Sequence, residues 1–286
     1  MAVIVARHGS PGPHVEENAR LLGEDLAETF RGLEQSSRMF DVAMDTALLH
    51  VQARVAVDPH GAALETWEAV VSAMQTGSAL FAAASVTEGT VECRIHHEVR
   101  TIPASGPQNC ADAGNWLTAF WLAIICRDQT RMTQLCEVPL DLLRSTETRY
   151  DEYVYHWVDA LQTYWLERPG LAEKLTAAIE ASYPEAATIA PRDLLQKVLY
   201  QPINLFYHFL RGSDEEFNQA LVEALEFHKS YWTADEERAE DFGGYLALGP
   251  LAVTCLAYDA GRSIEVESEY LPKCLISRAW LGEFPT

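Results

Sequence analysis

Apolar positions along this chain recur mostly every three or four residues, and the densest run lies between Cys110 and Trp165. Ala113, Trp116, Leu117, Phe120, Trp121 and Ile124 occupy one face of a helix at i, i+3, i+4, i+7, i+8, i+11 spacing. Leu122 and Ile125 lie off that face, which predicts a helix enclosed on more than one side. Val154, Trp157, Val158, Leu161, Tyr164 and Trp165 repeat the pattern. Asp151 stands just ahead of them as an expected N-cap, whose oxygen can accept an orphan backbone N–H. A shorter helix, Thr130 to Glu137, lies between, and the three together are the predicted centre of the core.

The flanking segments keep the same period. Val15, Ala19, Leu22, Leu26 and Phe30 form one stripe, and Phe40, Ala43, Met44, Ala47, Leu48, Val51 and Val55 form a second, giving an αα-hairpin. Asp58-Pro59 and Gly61 mark a turn. Leu64, Trp67, Val71, Met74, Ser78 and Phe81 follow as a third helix, where Gly77 and Ser78 predict the close approach of another helix. Downstream, Leu171, Leu175, Ala178 and Ile179 form the return helix of the pair begun at Asp151. Pro191 suits the first turn of a helix carrying Leu194, Leu195, Val198 and Leu199. Pro202 must kink or break that helix before Ile203, Leu205, Phe206 and Phe209. Ser213 with Glu216, and Thr233 with Glu236, fit capping boxes. A last helix runs through Leu251, Val253 and Leu256, with its start obscured by Gly243-Gly244 and Gly249-Pro250, and the tail is expected to hold a short extended piece. A weak echo that places Trp116 on Trp157 and Arg127 on Arg168 suggests stacked helical hairpins of the kind that build α-solenoids.

One stretch changes period. Between Thr87 and Pro103, Val91, Cys93 and Ile95 alternate with Glu92 and Arg94, and Val99 and Thr101 alternate with Glu98 and Arg100. Alternation predicts β-ribbon, either one strand or a tight hairpin turning at His96-His97. The expected architecture is therefore predominantly all-α, made of stacked, solenoid-like αα-hairpins with one small β-ribbon around residues 90–102. We expect a single body, with N-terminal helices over 14–86, the ribbon over 88–103 and helical hairpins over 110–276.

Composition narrows the function. Forty-two acidic residues against 21 basic ones give a formal net charge of -21. Such a surface repels nucleic acid and anionic lipid and attracts basic partners. Neither partner is expected, and with no apolar stretch near the roughly 20 residues of a membrane span and no signal peptide, the expected location is cytoplasmic. The six cysteines are scattered without C-x-x-C spacing, so neither a disulfide framework nor a zinc site is expected.

Candidate chemistry is sparse. His96 and His97 are neighbours that a strand would point to opposite faces, and His156, His208 and His228 each sit alone among aromatics, as packing histidines do. Neither H-E-x-x-H, G-x-S-x-G, Walker A nor a dinucleotide glycine pattern occurs. Asp235, Glu236, Glu237, Glu240 and Asp241 place i, i+4 carboxylates on one face, as magnesium-holding helices do, yet the first three also suit an acidic helix N-terminus. No cofactor, metal ligand or catalytic residue is assigned.

Five segments carry a resemblance: ETWEAVVSAMQTGSALFAAAS (Glu65 to Ser85), VECRIHHEVRTIPASGPQNCADAGNWLTAFWLAIICRD (Val91 to Asp128), DEYVYHWVDALQTYW (Asp151 to Trp165), PINLFYHFL (Pro202 to Leu210) and SEYLPKCLI (Ser268 to Ile276). Together they look like the immunity 49 family of bacterial polymorphic toxin systems. The resemblance implies a predominantly helical, non-enzymatic protein that neutralises a toxin encoded nearby by binding it; the charge favours a basic toxin, such as a nuclease. It supplies no catalytic residues. Expected contact residues are the ribbon's Glu92, Arg94, His96, Glu98 and Arg100, on or near an exposed edge, and the acidic helix start at Asp235, Glu236, Glu237, Glu240 and Asp241. The competing expectation is a helical small-molecule binder, or a metal-assisted enzyme, built around an aromatic pocket.

Overall fold

The computed structural model describes residues 2–286, and helices dominate it. A two-residue strand, β1 (Val3–Ile4), is followed by α1 (Val15–Leu33), α2 (Phe40–Val57) and α3 (Leu64–Ala84). Then come the strands β2 (Thr90–Ile95) and β3 (Glu98–Pro103). Next are α4 (Ala113–Cys126), α5 (Gln129–Cys136), α6 (Leu140–Arg144), α7 (Glu152–Trp165) and α8 (Leu171–Ala181). A short α9 (Arg192–Leu194) leads into α10 (Gln201–Arg211), α11 (Asp214–Trp232), α12 (Glu236–Glu240) and α13 (Leu248–Asp259). β4 (Val266–Glu267) and α14 (Lys273–Ile276) complete the chain.

The amphipathic stripes fall where their period places them. α1 buries Ala19, Leu26, Phe30 and Leu33 against α2, which in turn packs on α3. From Thr66 to Ala84 almost every side chain of α3 is buried, as in a helix surrounded by protein. The core thus centres one helix earlier than its aromatic density suggests, with α3 against α4 and α13 on α4's other side. The predicted close approach occurs at Gly77, where an added Cβ would stand 2.7 Å from Ala119 Cβ.

Caps and breaks show where local signals lose to tertiary ones. Asp151 is the N-cap of α7 and its backbone O accepts from Val154 N at 3.1 Å, but its side chain makes no bond to that helix. Its carboxylate instead accepts from the backbone N–H groups of Thr188, Ile189 and Ala190 at 2.7, 2.9 and 2.8 Å, tying down the α8–α9 loop. Those three bonds hold its pKa below the usual carboxylate value, against the opposing effect of burial. Ser213 caps α11 through Glu216 N as predicted. Thr233 does not cap α12: its hydroxyl donates back to Lys229 O at 2.8 Å, and Asp235 takes the position, accepting from Arg238 N at 2.9 Å. Before Pro202 the helix widens into a π-turn over Leu195–Leu199, closed by Tyr200 N on Leu195 O. Pro202 itself sits in the first turn of α10, where its missing N–H needs no partner.

Closure over long distance is the part no periodicity announced. β1 pairs in parallel with β4, Val3 opposite Val266, so a second two-stranded ladder joins the two tails. Trp280 donates to Gly61 O at 2.7 Å, and Arg127 donates to Leu275 O and Ile276 O at 2.6 and 2.8 Å. Such contacts go beyond the nearest-neighbour stacking that defines a solenoid. Buried apolar side chains from Val5 to Leu275 form one contiguous cluster.

Candidate partner interface

The ribbon is a hairpin. His96 and His97 have φ of 51° and 65°, the left-handed pair of a two-residue turn whose twist matches the flanking strands. Neither is glycine, and the turn is held from outside. His96 N donates to Gln75 Oε1 of α3 at 2.9 Å, and the His96 ring lies 3.2 Å from Ser72 Oγ. His97 Nε2 stands 3.5 Å from Glu68, with its ring edge-on to Phe284 at 4.7 Å.

A two-residue turn fixes the faces. Ile95 pairs with Glu98, Cys93 with Arg100 and Val91 with Ile102, so odd positions of β2 share a face with even positions of β3. The inward residues of β3 are consequently Arg100 and Ile102, and Val99 is turned outward at 59% exposure. Arg100 does not lie on the exposed edge; it is 4% exposed, and its guanidinium is held by Glu98 at 2.6 Å. Glu98 therefore balances a buried cation. The outer face presents Glu92, Arg94, Val99 and Thr101.

Glu92 and Arg94 form one wall of a groove of about 1100 Å³ between the ribbon and the start of α5. The opposite wall carries Arg127, Asp128, Arg131 and Glu137. Most of these charges are spent internally. Arg127 pairs with Asp259 at 3.1 Å, and Asp128 pairs with Arg131 at 3.2 Å while capping α5. Glu92 and Glu137 stay exposed and outside any ion pair among the described residues.

The second candidate set lies elsewhere, since none of the residues from Asp235 to Asp241 lines the ribbon groove. Asp235 caps α12, Asp241 accepts from Gly243 N at 2.7 Å, and Arg238 crosses to Asp193 at 3.1 Å. Glu236, Glu237 and Glu240 are exposed and free of ion pairs among the described residues. A third acidic surface escaped sequence reasoning. Asp214, Glu215, Glu216 and Glu223 of α11 meet Glu265 across a groove of about 980 Å³ beside β1. The acidic run at 214–216 was visible in the sequence, whereas the tail pairing that brings Glu265 and Val3 to it was not.

Among the described residues no three His, Cys, Asp or Glu side chains converge on a point where an ion could sit. Five of the six cysteines are buried and all are free thiols. Burial raises the pKa of Cys93, pushes that of Cys110 up to about 11 and raises those of Cys126, Cys136 and Cys255, which keeps these thiols protonated and unreactive. No helix among the described residues is long and apolar enough to cross a membrane. Exposed carboxylates outside any ion pair among the described residues stand around the two open grooves, Glu92 and Glu137 at the first and Glu215, Glu223 and Glu265 at the second, where Asp214 and Glu216 are paired with Arg262 and Arg211.

No curated protein and no solved structure matches the chain. A family model does, the one described as Immunity protein 49, and it spans residues 58–275, from the turn before α3 into α14. The chain belongs to the immunity protein 49 family.

Proposed function

We propose that this chain, in the toxin-immunity role its family implies, binds a cognate basic toxin and covers the toxin's working surface in a stoichiometric complex in the cytoplasm. The observation that carries this is the family match over 58–275, and the net charge of -21 agrees with it. Opposite charge steers encounter and raises association rates toward roughly 10⁸ to 10⁹ M⁻¹s⁻¹ at low salt. Silencing a lethal enzyme one-to-one needs nanomolar affinity or better, about -12 kcal/mol, through a contact of about 1,600 Å².

We propose that the contact lies at the outer face of the ribbon, where Glu92 and Arg94 are exposed or half-buried and free of ion pairs among the described residues. A hairpin clamped at its tip by α3 offers a preformed surface, which lowers the ordering cost of binding. A basic nuclease is the toxin class that the charge favours. The test is co-expression with the toxin gene encoded beside this one. Growth should be rescued, and persistent killing with both proteins soluble would refute the proposal.

A further inference from the structure

Away from both grooves, α4, α7, α11 and the segment entering α13 line a half-open pocket of about 400 Å³. Its walls are aromatic: Trp121, Tyr153, Trp157 and Trp232 all line it, together with His228. The volume falls at the lower end of the roughly 300 to 1,000 Å³ of small-molecule sites.

Its polar atoms are unusually idle for a core. Trp121, Tyr153, Trp157 and His228 are 6%, 3%, 2% and 4% exposed. Three indoles elsewhere in this protein find acceptors, Trp116 on Leu135 O at 2.8 Å, Trp165 on Thr133 Oγ1 at 2.9 Å and Trp280 on Gly61 O at 2.7 Å, while Trp67 Nε1 is buried without one. Of the donors lining the pocket, Trp232 Nε1 is fully buried without a partner; the N–H groups of Trp121 and Trp157 and the Tyr153 hydroxyl make no hydrogen bond among the described residues and are reachable from the open pocket. Buried donors normally are satisfied, because each orphan costs about 1 to 3 kcal/mol. His228 adds the complementary group. Its Nε2 lies 3.0 Å from Gly244 O, so that nitrogen carries the proton and Nδ1 keeps a lone pair. Burial pushes the His228 pKa down to about 4, leaving the ring neutral.

Charge is absent from the arrangement. Lys197, at the rim, is held by Asp193 at 2.8 Å, and Asp241 is occupied by Gly243 N. An anionic ligand would find donors but no free cation, and a cationic one would meet three N–H groups.

We propose that this cavity binds a neutral, planar heteroaromatic molecule that presents a carbonyl oxygen beside a ring N–H. The carbonyl accepts from the indole and phenol donors, the ring N–H donates to His228 Nδ1, and the flat faces lie on the aromatic walls. The site is separate from the toxin contact, so either proposal can fail without the other.

The test titrates the full-length protein with quinolin-2(1H)-one, followed by tryptophan fluorescence and calorimetry. One saturable site per chain is expected, with 2-methoxyquinoline, which lacks the N–H, at least tenfold weaker. Leu117→Trp, which fills the cavity from a half-buried wall position, should abolish binding, and Tyr153→Phe should weaken it several-fold; both should keep a cooperative melt. A cavity that holds only water gives no saturation up to about 1 mM, and that result overturns the proposal. Equal binding by wild type and Leu117→Trp overturns it as well.

Discussion

Gly77 of α3 lies against Ala119 of α4 so closely that a Cβ at Gly77 would stand 2.7 Å from Ala119 Cβ and 3.1 Å from its Cα. Two nearly enclosed helices meet here on their smallest residues. Gly77→Ala should therefore destabilise the protein by about 1 to 3 kcal/mol, although alanine is the better helix former. Denaturant titration measures it, and the paired change Gly77→Ala with Ala119→Gly should recover part of the loss.

Asp151 ties α7 to a loop almost forty positions downstream through three charge-assisted bonds. Asp151→Ala strands three backbone N–H groups beside a site that is 6% exposed. The expected loss is about 2 to 4 kcal/mol, at the upper end for a single polar deletion. Limited proteolysis should show new cleavage between Tyr183 and Ala190 before the rest of the chain opens.

Acid should act on the histidines first. Burial drives the pKa of His50 and of His228 down to about 4 from 6.5, and it lowers that of His8 as well. The folded state thus refuses protons that the unfolded chain accepts. Stability is full above the unfolded value and falls as pH drops from about 6.5 toward 4, by on the order of 3 kcal/mol for each of the two strongly shifted rings. The lowered carboxylates, Asp58 and Asp151, add their loss only further down, as pH falls through their folded pKa values. Melting curves between pH 7.5 and 4.5 check this, and His50→Phe should flatten the slope.

Most of the fold was legible because helical periodicity is local. The stripes of α1 and α2, the enclosed α4 and the Ser213 cap are all written within one or two turns of sequence. What failed depended on distant partners. Asp151 looks like a cap to its neighbours, yet its ligands lie at 188–190. The face of β3 could be read only after the turn length was known, since one residue of slip exchanges Arg100 and Val99 between core and solvent. Strands as short as β1 and β4 carry no period at all. For the candidate site, the ribbon and the acidic runs were visible, but the groove that unites α11 with Glu265 was not.

The ribbon's chemistry also dictates how its role is tested. Glu98 is a poor choice for charge reversal, because Glu98→Lys removes the partner of buried Arg100 and should lower the melting temperature. Glu92→Lys alone, a change of two charge units on the outer face, leaves that pair intact. It should slow toxin association about tenfold at low salt, with a smaller effect at high salt and an unchanged melting temperature. Stopped-flow mixing at two salt concentrations reads all of this out.

The central claim is that neutralisation comes from covering a basic toxin surface one-to-one. Its most direct measurement is calorimetric titration of this protein into the purified toxin encoded beside it, with the toxin's activity assayed along the same titration. The account predicts a dissociation constant of about 1 nM or tighter and activity lost linearly to zero at one equivalent. Full activity beyond one equivalent, with no heat of binding, would contradict it.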